Sequence, residues 1–220
     1  METLLQRYLI EFLTGGVILL AAISVNIGLL AIVLGRRAQL EAWKSFAGRM
    51  GLRLERGGLL SAPRVVGEIK GRAFNMMAIG GSEDDPKRTR MEMSVANPHF
   101  ARLTLERDGK LLRAVDRALH GESIKTGDAA FDDKITAHGD PPELAASALA
   151  DSTLREQLTR LKGGARIKLV DKTLSFWGWG VERNVDTLTI AAETLSGLAD
   201  RIDGWQPPPG WGVKRIDTRR

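Results

Sequence analysis

The chain has 220 residues, 43% hydrophobic and 27% charged, with a formal net charge of +5. That balance excludes wholesale disorder and leaves room for one domain with a real core. Cysteine is absent, which excludes disulfides, thiolate nucleophiles and thiolate metal sites and suits a reducing compartment.

Leu4, Leu5, Tyr8, Leu9 and Phe12 recur at helical spacing and form an amphipathic lead-in. Residues 12–34 then carry no charge between Glu11 and Arg36. At about 1.5 Å per residue this run makes a helix of about 35 Å, long enough for a hydrocarbon core of about 30 Å, so an N-terminal transmembrane helix is expected. A cleaved leader would need a basic start and a shorter apolar run, whereas Glu2, Arg7 and Glu11 precede this one. Arg36, Arg37, Lys44, Arg49 and Arg53 follow the span against Arg7 alone before it. Basic flanks resist translocation, so the expected topology is a single-pass protein of the bacterial inner membrane with its C-terminal domain in the cytoplasm. The same five side chains are candidates for anionic lipid headgroups, each contributing about 1 kcal/mol near the surface. Inside the span, Ser24 and Gly28 are small residues one turn apart and Asn26 offers an amide, a combination that favours association with another helix or a second copy.

Leu40, Trp43, Phe46, Ala47 and Met50 make a second helical stripe that Gly51 closes. From Leu52 the period changes to two. Residues 65–70 and 73–79 alternate around a turn at Gly71, and 89–95 and 101–106 repeat the pattern, which predicts an antiparallel meander with one wet face. A helix over 111–119 and a strand over 131–137 come next. Asp140, Pro141, Pro142 and Glu143 then read as a helix start, with Asp140 as N-cap. Leu144, Ala148, Leu149, Leu154, Leu158 and Leu161 carry an apolar stripe that Asp151 recaps. Arg166–Val170 and Thr173–Trp179 predict a second hairpin, and Asn184 caps a last helix ending at Gly204. The expected organisation is a lead-in and span at 1–35, a basic juxtamembrane helix at 36–51, a soluble domain at 52–204 and a tail rich in Pro, Trp and Arg at 205–220. The fold class is α+β: a transmembrane helix, then one mixed domain with an antiparallel sheet and several packed helices.

Chemistry-bearing motifs are sparse. Neither GxxxxGK[ST] nor GxGxxG occurs, and His99, His120 and His138 are far apart in no HExxH setting. Asp128, Asp132 and Asp133 are the densest acids and the candidate ligands for a hard cation or an acid and base pair; the bland reading is a turn in which Asp128 bonds backbone amides ahead of Phe131. Met76, Met77, Met91 and Met93 read as gap-filling core. Trp177 and Trp179 share one face of a strand, either packed under the last helix or free to stack a ligand, with Arg166 and Lys168 the only hint of a basic surround. In the tail, Trp205 and Trp211 bracket Pro207 to Pro209 and are candidates for binding a partner.

The tryptophan-bearing helix after one N-terminal span, then Gly51-Leu52, Gly67-Glu68-Ile69-Lys70-Gly71-Arg72 and Thr126-Gly127-Asp128-Ala129-Ala130-Phe131-Asp132, resembles bacterial membrane-anchored proteins of unknown function over about residues 40 to 200. The resemblance implies an anchored domain and brings no catalytic residue across. The expected function is a membrane-anchored interaction or accessory module that binds a membrane complex or a peripheral protein, with lipid as a second contact. No cofactor and no nucleic acid are expected. A metal-assisted hydrolase built on Asp128, Asp132 and Asp133 and an anionic-lipid sensor are the alternatives, and an enzyme is the less favoured class.

Overall fold

The structure is a computed structural model that describes residues 24, 30, 33–57, 62–80, 86–107, 123–207 and 209. The chain divides into two units, Met1–Glu41 and Ala42–Arg220. In the first, the described residues are helical and Leu30, Val33 and Leu34 are exposed. Among the described residues no helix is long and apolar enough to cross a membrane, which corrects the fold expected from sequence, a transmembrane helix followed by a mixed domain. Most of the apolar run, with Asn26 and Gly28, lies outside the described residues; Ser24 is helical and exposed. The fold is instead an eight-stranded antiparallel sheet with helices.

The elements in chain order are helix α1 (residues 33–50, of which 42–50 belong to the larger unit), β1 (Arg53–Glu55), β2 (Arg64–Ile69), β3 (Arg72–Ile79), β4 (Arg88–Ser94), β5 (Arg102–Arg107), α2 (Ala129–Asp132), β6 (Ile135–Asp140), α3 (Pro142–Leu149), α4 (Ser152–Arg160), β7 (Arg166–Val170), β8 (Thr173–Trp179) and α5 (Val185–Gly204). The strands run in the order β1-β2-β3-β4-β8-β7-β5-β6. The meander expected from β2 to β5 is therefore broken: the β7–β8 hairpin is inserted between β4 and β5. Alternation fixes which face a side chain takes but not which strand lies beside it.

Register lines up one apolar row across the sheet, Val65, Met76, Met91, Phe176, Ile167, Leu105 and Ala137, each opposite the next. A second row runs Phe74, Met93, Leu174, Leu169 and Leu103. All of these are buried. The helices cover this face. α5 lies on β4 and β8, with Leu188, Ala191, Leu195, Leu198 and Ile202 buried, and Asn184 caps it by accepting from the Thr187 amide at 2.9 Å. α3 packs on β6 and α5, and α4 packs on α5. The end of α1 contributes Trp43, Phe46 and Ala47, and the Phe46 ring stands 6.3 Å from Phe74. Gly51, at φ +68°, ends that helix as its spacing predicts.

Three boundaries differ from the sequence reading. Phe131 belongs to α2, and the strand expected at 131–137 starts at Ile135, because Asp128 accepts from the Phe131 amide and caps a turn of helix first. The N-cap of α3 is Pro141, with no side-chain bond, in place of Asp140. The helix expected at 111–119 lies outside the described residues.

One ion-pair clasp ties α5 to the β2–β3 turn, where Lys70 and Gly71 both take positive φ. Lys70 and Arg72 reach Asp200 at 2.8 and 2.7 Å, Arg72 also reaches Asp203 at 3.0 Å, and Asp203 accepts from the Ala96 amide at 2.8 Å. Lys70, opposed by partial burial and helped by Arg72, holds the Asp200 carboxyl below the usual range; burial lowers Arg72, but its bonds to Asp200 and Asp203 outweigh that and raise it. A carboxyl depressed in the folded state contributes stability that is complete above its unfolded value of about 3.9 and is lost as pH falls below it. The Asp200→Asn variant should therefore show a shallower loss of stability than the parent between about pH 5 and 3, measured by urea unfolding at several pH values. Parallel pH profiles would show that the clasp carries no acid sensitivity.

Candidate functional site: the open face of the sheet

On the other side of the pleat, the alternate residues of the same strands form a second surface, exposed or half-buried at Arg64, Met77, Arg90, Trp177 and Arg166 and buried at Glu106, Thr136, Ser175 and His138. One row there reads Arg64, Met77, Arg90, Trp177, Arg166, Glu106 and Thr136, each opposite the next. Its neighbour reads Arg53, Val66, Asn75, Glu92, Ser175, Lys168, Thr104 and His138.

The centre of this face is aromatic and basic. Trp177 is half-buried and Trp179 is 56% exposed. The Arg90 guanidinium lies 5.4 Å from the Trp177 ring centre and the Arg88 guanidinium 4.8 Å from that of Trp179, both cation–π distances. Each contact holds a long cation against a flat apolar plate. Arg90 is tied to Glu92 at 2.5 Å and Arg166 to the buried Glu106, so these side chains are held in place before any partner arrives. Trp179 rests against the chain between α4 and β7: a Cβ added at Gly164, where φ is +76°, would lie 2.1 Å from the indole Nε1. Only glycine permits that approach.

Packing of Trp177 under the last helix is corrected by this register. Phe176 and Leu174 take that side of β8 and the pleat sends Trp177 to the other, whereas Trp179, at the strand's end, also lines a small cavity with Phe176 and with Leu188 and Ala191 of α5. Arg166 and Lys168 do share the tryptophan face, and Arg64, Arg88 and Arg90 join them. Alternation in β4 places Arg88 and Arg90 opposite Met91 and Met93, but only the β4–β8 pairing sets them beside the indoles. Met77, expected in the core with Met76, Met91 and Met93, is on this face and half-buried.

The other candidates do not converge. Asp128 caps α2 and lies 3.8 Å from Arg155, while Asp132 accepts from the Thr126 amide at 3.1 Å and its hydroxyl at 3.0 Å; Asp133 is exposed. Among the described residues no group of three or more His, Asp or Glu is placed to hold a metal ion. Of the basic collar, Arg49 pairs with Asp186 at 2.6 Å and Arg53 with Glu55 at 2.8 Å, Arg53 lying in a strand; Arg36, Arg37 and Lys44 are helical. Trp205, a candidate for partner contact, is instead 6% exposed and stands edge-on to His99 at 5.5 Å, because its indole buries more apolar area against its own domain than a mobile tail would allow. Trp211 lies outside the described residues.

No known protein family matches the chain, and no curated protein does. Among solved structures it is similar to the crystal structure of the mycobacterial trehalose monomycolate transport factor A, TtfA, at a TM-score of 0.51 and 14% identity, over 79% of this chain and 99% of that one. At that identity the likeness is one of fold alone.

Proposed function

We propose that the chain is an accessory interaction module that holds a protein partner, part of a membrane-associated transport assembly, on the open face of its sheet at the cytoplasmic side of a bacterial inner membrane. The observation that carries this reading is the pair Trp177 and Trp179, the first half-buried and the second 56% exposed, each with an arginine guanidinium over its ring. Tryptophan and arginine are the residues that most often dominate protein–protein binding energy, and a rigid indole commits a large area at small entropic cost. Arg64, Arg88 and Lys168 surround the pair and complement an acidic partner surface. The neighbouring fold belongs to a protein described as a transport factor, which supports an accessory role over a catalytic one.

A photo-crosslinking residue placed at Thr173, exposed on the same strand and face, should capture a defined protein in cells, while one at Glu156, exposed on α4, should not. Adding Trp177→Ala and Trp179→Ala should weaken capture at Thr173 by at least about thirtyfold, the effect of losing one strong anchor. Equal capture from both positions, capture of lipid alone, or capture that survives the double substitution would each sink the reading.

A further inference from the structure

In the larger unit α5 forms the floor of an open cavity of about 640 Å³, and none of the residues assigned above to the partner lines it. Met50 at the end of α1, Ile69 at the end of β2 and Leu154 of α4 supply its apolar walls. The floor is one stripe of α5, Glu193, Ser196, Gly197, Asp200 and Arg201, at the spacing that brings residues to one side of a helix. Gly197 keeps that floor low where α4 comes closest: a Cβ there would lie 3.4 Å from Leu154 and 3.9 Å from the carboxamide oxygen of Gln157.

Two observations mark the cavity as a ligand site and give the ligand's sign. Ser196 is 4% exposed and lines the cavity, yet its hydroxyl has no hydrogen-bond partner among the described residues. A buried hydroxyl left unpaired is costly, and a ligand that bonds it recovers the loss. The charges are also unbalanced. Lys70 is paired with Asp200 at 2.8 Å and Arg201 with Asp151, whereas Glu193, one helical turn before Ser196, has no ion-pair partner among the described residues. The carboxylate left over repels an anion and attracts a cation.

We infer that the cavity binds an alkylammonium group, an amine carried on an aliphatic stem. Its N–H donors meet the Glu193 carboxylate, the Ser196 hydroxyl and the Gln157 carboxamide oxygen, and its methylenes lie on Leu154 and Ile69. An ammonium has three donors and no acceptor, which suits three oxygens drawn from one turn of α5 and the α4 residue facing it. Bonds from a charged donor are roughly twice as strong as neutral ones, so an ammonium is favoured over a hydroxyl of the same size. Two sources offer this chemistry: a free aliphatic amine and a lysine side chain of a partner.

The test is stabilisation of the full chain by putrescine, a diamine, with the unfolding midpoint read across a titration at constant ionic strength. The butanediol of the same chain length is its neutral counterpart. Putrescine should raise the midpoint saturably and the diol should not. Glu193→Gln, at an exposed position, should weaken binding at least about tenfold. Glu156→Gln removes the same charge from an exposed site on α4 outside the cavity and should change binding less than about twofold. Ser196→Ala should weaken binding at least about fivefold and leave the ligand-free midpoint unchanged or higher, because it deletes an unpaired buried hydroxyl. An acetylated lysine amide titrated in parallel separates the sources: tighter binding than putrescine assigns the site to a partner's lysine, and weaker binding to a free amine. Equal stabilisation by the diol, equal losses with Glu193→Gln and Glu156→Gln, or putrescine binding that survives Ser196→Ala would each overturn the inference.

Discussion

Trp43→Ala is expected to lower the free energy of unfolding by about 3–5 kcal/mol, a large share of the stability of a domain this size. The residue is fully buried among the helices, and its indole nitrogen donates to the Glu182 carbonyl at 2.9 Å, in the segment that leads into α5. Alanine removes both the packing of a large ring and that bond. Trp43→Phe separates the two terms: it keeps most of the ring and leaves the carbonyl unpaired, for a loss of about 1–3 kcal/mol. Urea unfolding of the two variants gives the values directly. An alanine variant within about 1 kcal/mol of the parent would mean that the end of α1 does not belong to the folded core. The same segment matters electrostatically. Glu182 is pushed up by burial, yet Lys162 at 2.6 Å and the amides of Asn184 and Arg183 outweigh that and hold it below its usual range. Displacing this segment would disturb a carboxylate placed just ahead of the α5 cap.

Several of these features were legible in the sequence because one local signal fixed each of them. The spacing of Trp43, Phe46 and Ala47 identified a buried stripe, and all three are buried. Asn184 before an apolar period identified a cap, and Gly51 a helix end. Strands β2, β3, β4, β7 and β8 appeared within a residue or two, since each alternates cleanly. Pairing was not legible, because alternation says nothing about neighbours. That single gap concealed the insertion of the β7–β8 hairpin, the side taken by Trp177 and Trp179, and the arginines that face them. Phe131 was misplaced for a different reason: an apolar residue before Ile135 extends a strand pattern, and only the bond from its amide to Asp128 turns it into helix. The cavity of about 640 Å³ beside Glu193, Ser196 and Gly197 had no sequence signal, because its walls come from α4 and the β2–β3 turn, which are distant in the chain.

Asn97→Ala should cost about 3–4 kcal/mol, although it removes only a small polar side chain. The reason lies in the strand order. After β4 the chain must pass the end of the β7–β8 hairpin to reach β5, and residues 95–101 make that crossing. Val95 donates to the Lys172 carbonyl at 3.0 Å on entering it. Asn97 then holds the crossing to the hairpin it passes: its amide donates to the carbonyls of Ala101, at 3.0 Å, and Asp171, and its oxygen accepts from the Ala101 amide at 3.1 Å. At 2% exposure no water replaces those bonds cheaply, so alanine leaves three backbone groups short of a partner. The backbone at this position has φ of +35°, which asparagine tolerates better than alanine. Asn97→Gly tests that division: glycine relieves the backbone strain and loses the same bonds, so it should recover no more than about 1 kcal/mol relative to alanine. Full recovery with glycine would assign the cost to backbone strain alone. A crossing that depends on the side chain's bonds would instead mean that the insertion of β7 and β8 between β4 and β5, and with it the placing of Trp177 beside Arg90, is secured at this one buried amide.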